Sequence, residues 1–173
     1  TSRMKPLRSA TAMPSSVVWT GVVWGGSETP IQSSWSEQGT PVPHLPHTPF
    51  VAQKGAAMAD NYAASLKTLP QHPAAAIPVE RIVAPIFLVC GEADRVWPSC
   101  PMARQIEERL RAHHKAAPIL LAYAAAGHSV FGLPMALDDP RLTNGGGTPQ
   151  GNAAARADSW PKAIAFLKAH LQN

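Results

Sequence analysis

Continuous apolar runs, rather than alternating ones, mark the middle of this chain. Ile82–Cys90 (IVAPIFLVC) is rich in β-branched residues, and Ile119–Tyr123 (ILLAY) is apolar but for its tyrosine. Runs of this kind predict parallel strands covered by helices on both faces. A shorter and weaker segment, Arg8–Met13, predicts a further strand near the start. Helical periodicity fills the spaces between. Met102, Ile106 and Leu110 recur every fourth residue, with Glu107, Glu108 and Arg111 on the opposite face. In the last segment Ala157, Trp160, Ile164, Leu167 and Leu171 step by three and four, which predicts an amphipathic helix buried on that stripe. Pro161 falls inside it and predicts either a kink or the effective helix start. A further Ala-rich helix is predicted around Gly55–Leu69. The order strand, helix, strand, helix predicts the α/β class, with parallel strands flanked by helices.

Residues Gly25–Pro49 break this pattern. Pro30, Pro41, Pro43, Pro46 and Pro49 stand among Ser, Thr and Gly, so an irregular insertion is expected over residues 25–50, either a lid segment or a connector. His44 and His47 lie in it three residues apart, with no third ligand to complete a metal site. The length of 173 residues suits a single domain spanning 1–173. No apolar run approaches the roughly 18 residues that a membrane span needs.

Charge narrows the function classes. The net charge is +4, yet only 15% of residues are charged, and the Lys and Arg residues are scattered. No basic stripe interleaved with aromatics predicts a nucleic-acid partner. The two cysteines, Cys90 and Cys100, do not have a metal or redox spacing. Cys90 closes an apolar run and reads as a core thiol, whereas Cys100 follows a turn and is expected near the surface. Both fit a reducing cytoplasm.

Two strand ends carry the candidate chemistry. Ile82–Cys90 runs into Gly91-Glu92-Ala93-Asp94, and Ile119–Tyr123 soon leads into Ala126-Gly127-His128. Catalytic groups and ligands of open α/β sheets gather beyond the carboxyl ends of the strands. Asp94 and His128 are 34 residues apart, room for one helix and one strand, so they are expected side by side at one sheet edge. An acid followed by a histidine is the order in which α/β-hydrolases carry the last two members of their triad. Glu92 is the competing carboxylate and is expected to bond locally in the turn. Trp97 reads as a pocket wall or as packing.

The wording around these residues resembles one family. IPVERI (Ile77–Ile82), PIFLVCGEADRVWPS (Pro85–Ser99), MARQIEERL, AGH, GGTP (Gly146–Pro149) and DSWPKAIAFLKAHL are similar to the acyl-coenzyme A thioesterases and the bile acid-CoA:amino acid N-acyltransferases, in their shared C-terminal α/β-hydrolase domain. PSSVVWTG (Pro14–Gly21) is similar to the family segment that follows the nucleophile elbow. The resemblance implies Asp94 as catalytic acid, His128 as catalytic histidine, an acyl-CoA thioester as substrate, and no separate cofactor.

No Gly-x-Ser-x-Gly or Gly-x-Cys-x-Gly occurs in the chain. The nucleophile and the oxyanion donors are therefore expected in a missing N-terminal half of the same domain, and the loss of oxyanion donors alone costs roughly 10² to 10³ in turnover. Ser15, Ser16 and Ser129 stand on no elbow-like turn and are poor substitutes. As written, the chain is expected to be catalytically incomplete. An exposed edge on Arg8–Met13 would favour self-association or completion by a separate partner. A non-catalytic module and a dienelactone hydrolase-like esterase are the alternative readings.

Overall fold

The computed structural model describes residues 36–46 and 57–171. The strand expected at Arg8–Met13, together with Ser15, Ser16 and His47, lies outside them. Strands β1 (Ser36–Glu37) and β2 (Thr40–Pro41) pair antiparallel. Their turn, Gln38-Gly39, has φ values of 50° and 82°, the left-handed pair that a two-residue hairpin loop needs. The Pro-rich stretch thus carries a short hairpin where only irregular chain was expected.

Helix α1 (Met58–Leu66) is shorter than the Gly55–Leu69 expectation. The Asp60 carboxylate accepts the Ala57 amide at 3.1 Å and fixes its first turn. Short 3₁₀ turns follow at Leu69–Gln71, Pro73–Ala75 and Val79–Arg81. Pro70, Pro73 and Pro78 supply no amide for an α-ladder, which keeps this stretch in short turns.

Strand β3 (Phe87–Gly91), helix α2 (Ser99–Ala112), strand β4 (Ile119–Tyr123) and helix α3 (Pro149–Leu171) complete the order. β3 and β4 pair in parallel, from Phe87 opposite Ile119 to Gly91 opposite Tyr123. The bounds of β4 match those expected. β3 does not begin at Ile82. Pro85 cannot donate to a ladder, Ile82 closes the preceding 3₁₀ turn, and Val83 is 98% exposed.

The continuous apolar pattern of β3 has a direct explanation in its two covered faces. Leu88 and Cys90 pack with Leu120 against Cys100 and Ala103 of α2. Val89 and Tyr123 pack with Ala126 and Val130 against Ala155 of α3, and Phe87 meets Phe166 at 5.3 Å between ring centroids. A third cluster joins Ile77, Val79 and Leu110, with Ile82, Ile86 and Ile106 around it. Each fully buried Leu here contributes about 2 kcal/mol of transfer free energy.

Three expectations are corrected. Cys90 and Cys100 are not free thiols: they form a disulfide, and both are buried. The chain turns back after β3, so the first turn of α2 lands on the face that Cys90 presents. The buried face of α3 is also not the expected stripe. Asn152, Ala155, Arg156, Ser159 and Ala163 are buried, while Leu167 and Leu171 are exposed. The observed face is the predicted one displaced by one residue, about 100° around the helix. Nor does Pro161 mark the start of α3. The helix runs through it from Pro149, and the Thr148 hydroxyl accepts the Gly151 amide at 2.9 Å in the manner of an N-cap.

Candidate active site

Beyond the last residue of β3 the backbone folds into a tight turn anchored on β4. The Glu92 amide donates to the Tyr123 carbonyl at 3.0 Å and the Ala93 amide to that of Ala126 at 3.0 Å. Asp94 then closes a second turn with its own side chain. Its Oδ1 accepts the amides of Val96 at 2.8 Å and Trp97 at 3.0 Å, as aspartates do in turns. That leaves Oδ2 directed at His128, whose Nδ1 lies 3.3 Å away.

The structure therefore brings Asp94 and His128 together at the carboxyl ends of adjacent parallel strands. The Asp94 side chain is 3% exposed and that of His128 45%. Burial pushes the Asp94 carboxyl up, but hydrogen bonds from His128 and from the Trp97 and Val96 amides outweigh it and hold the group below its ordinary value. An ionised carboxylate can only accept. Nδ1 must then be the donor, and in the neutral imidazole Nε2 is left as the proton acceptor. The pair can take a proton at Nε2 and stabilise the resulting imidazolium.

Glu92 does not bond within the turn as expected. It reaches across to Arg104 of α2 as an ion pair, so it does not compete for His128. Trp97 takes a packing role: its ring stacks on Tyr62 of α1, with centroids 4.5 Å apart and planes 11° from parallel. The Ala59 amide donates to the Arg95 carbonyl at 3.0 Å, which ties α1 to the acid turn a second time. The Ser129 hydroxyl donates to the Arg141 carbonyl at 2.6 Å. Among the described residues no serine or cysteine bonds the His128 ring.

A third loop, not anticipated from the sequence, lies between the other two. Gly145, Gly146 and Gly147 have φ values of 77°, 94° and 71°, and the loop bridges to both sides, Gly146 to Asp94 and Gly147 to Ala126. The Gly145 carbonyl accepts the Arg95 amide at 2.9 Å and the His128 amide at 3.1 Å. One oxygen thus anchors the residue after the acid and the histidine itself. A Cβ on Gly146 would lie 2.1 Å from the Ala93 carbonyl oxygen, so only glycine fits that passage. The visible signal was the unbroken Gly-Gly-Gly at 145–147.

Two side chains of α3 hold this assembly from behind. Asn152, fully buried, accepts the Gly127 amide at 2.7 Å and donates to the carbonyls of Leu142 at 2.8 Å and Gly146 at 3.1 Å. Arg156 donates to the carbonyls of Leu133 at 2.7 Å, Ser129 at 3.2 Å and Phe131. Burial pulls its guanidinium down from the ordinary value. These two were also missed, because polar residues in a helix read by default as its solvent face.

Among the described residues no cluster of three His, Cys, Asp or Glu could hold a metal ion, and no helix is long and apolar enough to cross a membrane. A groove of about 460 Å³ lies between α2 and the 3₁₀ turns, lined by Ile77, Val79, Met102 and Ile106 among others. It includes neither Asp94 nor His128.

A strand–helix–strand unit that presents a carboxylate and an imidazole together at one sheet edge defines an α/β protein with an acid–histidine pair. Residues 9–173 match the family described as BAAT / Acyl-CoA thioester hydrolase C terminal, and the chain belongs to that family. It is 32% identical over 106 residues to acyl-coenzyme A thioesterase 5 of Mus musculus, covering 56% of this chain and 25% of that protein. It is 33% identical over 102 residues to the mitochondrial acyl-coenzyme A thioesterase 2 of Mus musculus, with coverages of 55% and 22%. Against acyl-coenzyme A amino acid N-acyltransferase 2 of Rattus norvegicus the identity is 31% over 115 residues, with coverages of 58% and 26%. The matched region spans about a quarter of the length of these relatives.

Proposed function

We propose that this chain is the C-terminal part of an α/β-hydrolase fold acting on acyl-CoA thioesters, in which Asp94 and His128 are the acid and histidine of a catalytic triad. The observation that carries this reading is the 3.3 Å contact of His128 Nδ1 with the buried Asp94 Oδ2, with Nε2 left to accept a proton. A Ser or Cys from another part of the complete protein attacks the thioester carbonyl while Nε2 takes its proton. The coenzyme A sulfur leaves with that proton, forming an acyl-enzyme. His128 then activates water for hydrolysis, or an amine for transfer. Asp94 holds the productive tautomer and stabilises the imidazolium. Coenzyme A enters as part of the substrate, and no other cofactor is needed.

The finer parts of the proposal follow from this. Residues 25–50 act as a lid or binding segment, and for the compartment the Cys90–Cys100 disulfide weighs against the reducing cytoplasm expected from free cysteines and favours a more oxidising setting. Chemical trapping of thiols in intact cells would settle the compartment. In the complete protein, Asp94→Asn should lower turnover by about 10⁴ through loss of the tautomer, measured as free thiol released from long-chain acyl-CoA. Unchanged turnover, or activity confined to small esters or lactones, would reject the reading. A coding sequence upstream of Thr1 without Gly-x-Ser/Cys-x-Gly would reject the partial-enzyme account.

One observation favours a second reading, a module completed by a separately supplied segment. Among the described residues no serine or cysteine bonds the His128 ring, so the acid–histidine pair would take its nucleophile from that segment, and an unpaired sheet edge would favour self-association until it binds. A compact monomer in size-exclusion chromatography that binds no hydrophobic dye would rule it out.

A further inference from the structure

We propose that Asn152 is a positioning residue for the acid–histidine pair, its buried amide tying the peptide before His128 to the glycine loop that also carries the turn of Asp94. The proposal rests on the reading of Asp94 and His128 as the working pair. Three observations support it.

The first is saturation. A primary amide offers an oxygen acceptor and two N–H donors. Asn152 Oδ1 accepts from Gly127, and Nδ2 donates to Leu142 and Gly146. Burying such a group is costly unless it is bonded, so Asn152 is satisfied only when both loops are in place. The second is reciprocity. The Gly127 amide has its partner in Asn152, and Gly127 is itself buried. An apolar side chain here would leave that N–H unmet. The third is connectivity. The loop that Asn152 grips at Gly146 presents the Gly145 carbonyl to Arg95 and His128 at once. From one buried amide, one path runs through Gly127 to His128, and another runs through Gly146 and Gly145 to Arg95, next to Asp94.

A residue that only stabilised α3 would loosen the whole domain when removed. A positioning residue loosens the two turns ahead of the rest. The test is residue-resolved amide exchange on the full chain, together with the NMR signal of the His128 Nδ1 proton. In Asn152→Ala, exchange at Gly127, His128 and Arg95 should rise roughly 10- to 100-fold. The β3–β4 ladder amides should keep their protection, and the Nδ1 proton signal should be lost. A uniform rise across the chain, or no change at these three amides, would overturn the proposal. If Asn152→Ala does not fold, Asn152→Asp decides the matter. It keeps the acceptor for Gly127 but sets a carboxylate against the Leu142 and Gly146 carbonyls. Loss of the Nδ1 signal with Gly127 still protected supports the proposal, and an intact signal overturns it.

In the complete protein, Asn152→Ala should lower kcat while leaving KM unchanged. Failure of the triad reading would look different. Full activity in Asp94→Asn would reject the catalytic pair and leave the exchange pattern around Asn152 standing.

Discussion

The acid turn and the histidine turn sit side by side but are held by opposite means. Asp94 is fixed mainly by its own neighbourhood: amides two and three residues onward bind its Oδ1, and the Cys90–Cys100 disulfide closes a ring around the whole turn. His128 depends on distant parts of the chain. Its amide is bound by Gly145, the preceding amide by Asn152, and the residues after it by the buried Arg156. A local turn survives changes elsewhere, whereas a borrowed position fails when its lender does. Loss of Arg156 should therefore displace the histidine and spare the acid, whereas loss of Asn152, which also grips the glycine loop, should reach both turns.

The most severe way to break this contrast strikes both turns together. Gly146→Ala would set a Cβ 2.1 Å from the Ala93 oxygen at a φ of 94°. We expect a loss of about 4 kcal/mol or failure to fold, read from chemical denaturation. Arg156→Ala should come next, at about 3 kcal/mol, because carbonyls of the loop after His128 lose their donor. Exchange should quicken at Val130 and remain slow at Val96. Similar rates at both would show the histidine turn to be as independent as the acid turn. Reduction of the disulfide should do the reverse, loosening the acid turn at a cost of about 2 to 3 kcal/mol for a ring of this size. The midpoint shift between reduced and oxidised protein measures it.

The smallest effect is electrostatic. Glu80, hydrogen-bonded by Arg109, is held at about 2 against an ordinary 4.5, and Asp94 also lies below its ordinary value. Depressed carboxylates stabilise fully above their unfolded values, near pH 4, and lose that contribution as pH falls toward 2. Screening limits the Glu80 share to about 1 kcal/mol or less. Glu80→Gln should lower the neutral plateau by that amount and flatten the acid limb, the two profiles converging near pH 2. An unchanged limb would mean that Asp94 and its neighbours carry it alone.

What could be foreseen follows the same division. The meeting of Asp94 with His128 was legible because each follows a strand at short range and the strands are joined by one helix. β4 was legible because four apolar residues and a tyrosine run together free of proline. The true start of β3 was obscured by Pro85, which an apolar run of that length hides. The buried face of α3 was missed because periodicity weighs bulk. Close approach to the sheet instead selects small residues: a Cβ on Gly151 would lie 2.1 Å from the Ala125 oxygen. Asn152 and Arg156 bond to carbonyls that reach them only through tertiary folding. The disulfide was hidden as well, since a separation of ten residues says nothing about which face each sulfur occupies.

The shared Gly145 carbonyl has one more consequence. Because it receives the Arg95 and His128 amides together, a displacement of that peptide carries the acid and the histidine in the same direction. Such motion is common to both groups and cancels from the gap between them, as noise common to two wires cancels from their voltage difference. Thermal drift of the loop should therefore move the pair relative to a substrate more than it moves the two partners relative to each other.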